Sequence, residues 1–256
     1  MMKKVNRKQA LKSMALAAGL WALPKFGKAY PSGNQGVGIP GQISKPVEDE
    51  SIDWKTAALI IVDMQNDFVR SGAPLEVHSA LDTVPSQKAL IETFRKKERP
   101  VIFTKFISRP HYYLLWEWSP QCKPPIKCCW KGHQRTYSDV QGSRDCTEII
   151  DELRPAKDDI IVEKFGYGAF HETSLDKTLK DLGITSLVIT GTVTQICVEE
   201  TAREAFHHGF RTTIVEDGVS SFAPDLHAAT LKNFAMKFGW VSSSESIISS
   251  AKALNK

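Results

Sequence analysis

The chain has 256 residues, 42% of them hydrophobic and 24% charged, a balance that argues against a disordered chain and fits one globular domain behind a short extension. Its formal charge of +4 is concentrated at one end: Lys3, Lys4, Arg7, Lys8, Lys12, Lys25 and Lys28 precede any acidic residue, and removing those seven charges leaves −3. That argues against a basic nucleic-acid-binding surface, and no apolar run reaches the roughly 18 residues of a membrane span.

Taken in order, the chain opens with that basic stretch. The apolar run Ser13 to Leu23 follows, and Gly27-Lys28-Ala29 forms a small-x-small cleavage site. Residues 1–29 are thus predicted to be a signal peptide cut after Ala29, which implies export to a periplasm. Asn6 to Lys12 is similar to a twin-arginine signal except that Lys8 replaces the second arginine. N-terminal sequencing of the native protein should begin at Tyr30; recovery of mostly intact Met1 would contradict export. Residues 30–51, rich in Gly and Pro, are predicted to be a flexible linker, with the folded domain spanning 52–256.

Within that domain short apolar, β-branched runs alternate with helical periodicity. Strands are predicted at Ala57–Val62, Pro100–Phe106, Ile160–Glu163, Thr185–Thr190, Arg211–Val215 and Trp240–Ser243. Helices are predicted at Leu81–Lys97, Asp145–Leu153, Thr173–Leu182, Cys197–His208 and Pro224–Phe238. The alternation predicts an α/β fold in three layers, an about six-stranded, mostly parallel sheet with helices on both faces. Residues 108–144 break the rhythm with Trp116, Trp118, Trp130, Tyr112 and Tyr113, and are predicted to be a lid or subunit-packing excursion or a loop with its own small core.

Three strand ends carry chemistry. Asp63 follows the first run, where partial desolvation suits a carboxylate to proton transfer. Lys164 follows the third, ahead of the turn Phe165-Gly166-Tyr167-Gly168. Cys197 follows the fourth, at the predicted start of a helix, where the helix dipole and backbone N–H groups favour a thiolate. In an open parallel sheet, ligands bind outside the carboxyl ends of the strands, so all three are expected in one crevice.

Asp-Met-Gln-Asn-Asp-Phe at 63–68, Lys-Phe-Gly-Tyr-Gly-Ala-Phe at 164–170 and Gly-Thr-Val-Thr-Gln-Ile-Cys-Val at 191–198 resemble, in order and spacing, the three motif blocks of the isochorismatase-like cysteine hydrolases. The resemblance implies a Rossmann-like strand order, a catalytic triad of Asp63, Lys164 and Cys197, a cis peptide at Thr192-Val193, and an oxyanion hole from the Val193 and Cys197 N–H groups. It also implies a homo-oligomer, dimer or tetramer. A cysteine nucleophile suits hydrolysis of a small amide, ureide or carbamoyl compound through a thioester; the alternatives are isochorismatase-type ether cleavage and an inactive binding homologue. Nicotinamidases in this family carry an Asp-x-His-x-x-His metal pattern where this chain reads Ser108-Arg109-Pro110-His111-Tyr112-Tyr113, so neither metal nor cofactor is expected.

Aromatic substrate contacts are expected from Phe68, Tyr167, Phe170 and Trp116, all of which are equally ordinary core residues. Cys122, Cys128, Cys129 and Cys146 lack the spacing of a zinc site, and in an exported protein a disulfide among them is the expected use. His78, His171, His207, His208 and His227 show no ligand spacing.

Overall fold

The computed structural model of the protein describes residues 52–110 and 113–253. The signal and linker predicted for residues 1–51 lie outside the described residues, as do His111 and Tyr112. No helix among the described residues is long and apolar enough to cross a membrane.

Six strands make one sheet: β1 (Ala57–Val62), β2 (Val101–Phe106), β5 (Ile160–Lys164), β6 (Ser186–Thr192), β7 (Arg211–Ser220) and β8 (Trp240–Ser242). They run in the order β5-β2-β1-β6-β7-β8 with every pair parallel. The expected three-layer α/β architecture is thus the one observed. β1 lies at the centre, and its side chains alternate between two cores, which is why an unbroken apolar run belongs there. Leu59 and Ile61 join one cluster with Leu90 and Phe94 of a helix at Val84–Lys96 and Ile247 of a helix at Ser244–Ala253. Ala58, Ile60 and Val62 join the other with Leu179, Ala202 and Phe234, from helices at Leu175–Asp181, Glu199–His207 and Pro224–Lys237.

Each connection β1 to β2 and β2 to β5 steps outward on one side, whereas β6 returns to the other side of β1. The strand order therefore reverses between β1 and β6, and the crevice for a ligand opens at that point. Gly191 makes the close approach possible. It pairs with Val62 at φ +111°, and a Cβ there would collide with the Val62 carbonyl oxygen. Gly191→Ala is expected to cost at least about 3 kcal/mol, because it adds both a disfavoured backbone angle and a backbone clash. Thermal unfolding measures this, and an unchanged midpoint would contradict it.

One predicted element comes out differently. Asp145–Leu153 is not a helix: the segment runs beside the chain following β1, where Glu148 O accepts from Asn66 N–H at 2.9 Å and Ile150 N–H donates to Met64 O at 3.0 Å. Only a single 3₁₀ turn, Asp151–Leu153, remains. Its backbone groups are spent on a neighbouring loop, so the apolar spacing reflects packing against that loop. With the helices at Asn66–Val69 and Val84–Lys96 as α1 and α2, the excursion contains a short helix α3 (Tyr113–Trp118) and an antiparallel hairpin of β3 (Gln134–Tyr137) and β4 (Val140–Asp145). The helix at Ser244–Ala253 was not foreseen. Its start is fixed by Asp217, an exposed residue of β7, which accepts from Ser244 N–H at 2.7 Å and Ser86 Oγ at 2.9 Å.

Candidate active site

The carboxyl ends of β1, β5 and β6 bring Asp63, Lys164 and Cys197 together. Lys164 Nζ lies 2.7 Å from Asp63 Oδ2, with both side chains at 0% exposure. The ammonium also donates to Gly166 O at 3.1 Å and Tyr167 O at 2.8 Å, so the Gly-rich turn after β5 caps it with carbonyls. Asp63 sits at φ 49°. Thr104 of β2 holds it, donating to Oδ1 at 2.6 Å and accepting from the Asp63 N–H at 3.1 Å. Oδ2 has no such bond from hydroxyl or amide and stays available to the thiol.

Cys197 is 4% exposed and does not stand in the first turn of an α-helix. It lies in a π-helical turn, Thr194–Val198, in which Val198 N–H reaches back five residues to Val193 O at 3.2 Å, and the α-helix proper starts at Glu199. Widened turns of this kind recur at functional sites. The Thr192–Val193 peptide just before it is cis. Thr194, which sequence reasoning passed over, anchors the turn: its hydroxyl donates to Ser220 O at 2.9 Å and stands 2.9 Å from His227 Nδ1. Since that single hydroxyl proton goes to Ser220, His227 Nδ1 is the donor to Thr194.

The expected thiolate is not the resting form. Burial pushes the Cys197 thiol up to about 12; the Lys164 charge pulls it down, Asp63 pushes it up by charge and hydrogen bond, and the Val193 N–H pulls it down. Helix-end stabilisation loses because desolvation and a neighbouring carboxylate both penalise the anion. Lys164 shows the converse. Burial pulls its ammonium down, yet Asp63 and the Cys197 side chain outweigh that and hold it above its ordinary value. Cys197 therefore rests as a thiol beside an intact ion pair. Alkylation of Cys197 in the wild-type protein is expected to keep accelerating well above the ordinary cysteine range near ~8.5. A rate that levels off near neutrality would contradict a raised thiol.

Cys197 opens onto a cavity of about 460 Å³, whose walls include Phe68, Phe106, Leu115, Trp118 and Tyr167. Phe68 and Tyr167 are thus at the pocket, and α3 of the excursion supplies part of the wall. Trp116 and Phe170 face elsewhere. Trp116 stacks on Trp130 at 5.9 Å and donates to Ser108 Oγ at 2.9 Å; Phe170 stacks on His208 at 5.0 Å within the core beneath the helices. Their burial satisfied packing, and the neighbouring Trp118, 83% exposed, stands at the cavity instead.

The other four cysteines are buried and free, with Cys128 and Cys129 Sγ atoms 3.7 Å apart, so the expected disulfide is not formed. Asp67, Cys128 and Cys129 place three ligand-type atoms within 4.8 Å of one another. The Asp67 carboxylate is already committed, accepting from Cys129 N–H at 2.9 Å, Arg135 Nε at 2.8 Å and the Tyr137 hydroxyl at 2.7 Å. It ties the excursion to the short helix Asn66–Val69 that follows β1.

The profile of the isochorismatase domain matches residues 57–246. The chain belongs to the isochorismatase family. Nicotinamidase 3 of Arabidopsis thaliana is 33% identical over 191 residues, 73% of this chain and 84% of that protein. The ureidoacrylate amidohydrolase RutB of Caulobacter segnis is 30% identical over 224 residues, 79% of this chain and 90% of that protein. Among solved structures, a cysteine hydrolase from Pseudomonas syringae pv. phaseolicola superposes with a TM-score of 0.73 at 25% identity, over 82% of this chain and 99% of that one.

Proposed function

We propose that the protein is a cysteine hydrolase that cleaves a carbon–nitrogen bond of a small amide, ureide or carbamoyl compound through a thioester on Cys197. The class, a hydrolase of carbon–nitrogen bonds other than peptide bonds, is the one its amidohydrolase relatives carry in their names. The observation that carries the finer reading is the dry Lys164–Asp63 pair beside a thiol that opens onto an apolar cavity.

The resting charges dictate the order of events. Asp63 accepts the Cys197 proton as sulfur attacks the carbonyl carbon; because the thiol is held up, transfer and attack run together, without a standing thiolate. Negative charge then moves from the carboxylate to the substrate oxygen. The Val193 N–H, which already points toward the sulfur, and the Cys197 N–H are the proposed donors to that oxygen. Asp63 returns the proton to the departing nitrogen, the C–N bond breaks, and a thioester remains. Asp63 next takes a proton from water, the hydroxide attacks the thioester, and the C–S bond breaks to release the acid and restore the thiol. Throughout, Lys164 stays charged and offsets whichever partner is anionic.

Ammonia release from a panel of small amides, ureides and carbamoyl compounds tests this reading, with the Cys197→Ala protein as the blank. Release from at least one class by the wild-type protein alone is expected. Equal release by both proteins would contradict it.

A further inference from the structure

The cavity next to Cys197 is apolar on most sides but carries one charge. Among the described residues that line it, Glu76 alone is ionisable to an anion at neutral pH without belonging to the reacting group. Its carboxylate is fixed: Oε2 accepts from Gly72 N–H at 2.8 Å and Oε1 lies 2.7 Å from His78 Nδ1. Only 19% of the side chain is exposed, whereas His78 is 85% exposed and stands in solvent. The Gly72 N–H holds the Glu76 carboxyl below its ordinary value; burial opposes it, and His78 adds a smaller lowering effect. The carboxyl therefore stays anionic across the working range of a thiol hydrolase.

An anion set in a wall of Phe68, Phe106, Trp118 and Tyr167 is the chemistry that recognises an organic cation. The aromatic faces attract positive charge through their quadrupoles, and the carboxylate does so directly. The same arrangement repels a carboxylate on the substrate, in contrast to the acid named in ureidoacrylate.

We infer that Glu76 sets the charge selectivity of the pocket, so that the preferred substrate is an apolar amide or carbamoyl compound with a cationic end, and anionic analogues are turned away. This rests on the pocket being the substrate site, and it is tested without turnover. Trimethylammonioethyl and sulfonatoethyl methanethiosulfonate both transfer their thioalkyl group to a thiol: the sulfur of Cys197 displaces methanesulfinate and a mixed disulfide forms, and the two reagents differ in charge. Their rates at Cys197, followed on the Cys197 peptide by mass spectrometry, give a ratio of cationic to anionic labelling.

Glu76→Gln is expected to lower that ratio by about tenfold, and Glu76→Asp to keep most of it. The wild-type ratio should also fall as salt is raised, since part of the path to the carboxylate is through solvent. A ratio that is within about twofold of the wild type in Glu76→Gln overturns the inference. If Glu76→Gln does not fold, a wild-type ratio insensitive to salt overturns it. Activity retained in Cys197→Ala would instead defeat the hydrolytic reading, and leaves the labelling ratio to decide the charge preference by itself. Among matched neutral, trimethylammonium and carboxylate amides, the cationic one is expected to show the highest kcat/KM.

Discussion

Asp63→Asn should separate reactivity from catalysis: Cys197 becomes easier to alkylate at neutral pH while turnover falls. The reasoning follows the charges. Asp63 raises the thiol by its charge and hydrogen bond, and Lys164 lowers it. An amide in place of the carboxylate removes the raising influence and frees the ammonium, 2.7 Å from the lost oxygen, to stabilise a thiolate. Burial remains, so the thiol does not fall to the values of an exposed reactive cysteine. Turnover nonetheless drops by a factor on the order of 10² to 10⁴, because the leaving nitrogen and the attacking water lose their proton carrier. Stability suffers too. Removing one partner of a buried ion pair costs about 3 to 5 kcal/mol, part of which the new thiolate returns by pairing with Lys164. Iodoacetamide labelling rates, kcat/KM and thermal unfolding read the three effects, and slower labelling alongside slower turnover would contradict the assignment of Asp63 as the base.

The second large effect is Cys197→Ala. Alanine fits a site that is 4% exposed and sits in a turn held by Thr194 and Val193 backbone contacts, so the fold is expected to survive with a loss of about 1 kcal/mol or less. Turnover should fall by a factor on the order of 10⁴ or more, since no other group among the described residues of the cavity wall offers a comparable nucleophile. An unfolding midpoint near the wild type, combined with no measurable release of product, is the expected pair of results. Substantial hydrolysis by the variant would remove the covalent route.

The sheet was legible because its strands are buried on both faces and read as unbroken apolar runs; Ala57–Val62 is the clearest case, serving one core with Leu59 and Ile61 and the other with Ile60. The meeting of Asp63, Lys164 and Cys197 followed from the same fact, since residues at the carboxyl ends of parallel strands share an edge. What stayed hidden depended on contacts between distant segments. Asp145–Leu153 has helical spacing, but its hydrogen bonds go to Asn66 and Met64, which no local pattern announces. Trp116 and Phe170 are indistinguishable from Trp118 and Tyr167 as residue types, and only packing sends the first two inward. Thr104 is a polar residue in the middle of an apolar strand, a signal that can be read in the sequence; its partner, Asp63, is 41 positions away. The protonation state of Cys197 was misjudged because the helix end is local, whereas the desolvation and the carboxylate that overrule it come from other strands.

The central claim is that Cys197 carries an acyl group during the reaction. p-Nitrophenyl acetate, a neutral activated acyl donor, can report this directly: the protein is quenched in acid within the first turnover and its peptides are weighed. The account predicts a stoichiometric burst of p-nitrophenol and one acetyl group on the peptide containing Cys197, lost on treatment with hydroxylamine. Steady release of p-nitrophenol with no acetyl on that peptide would contradict it.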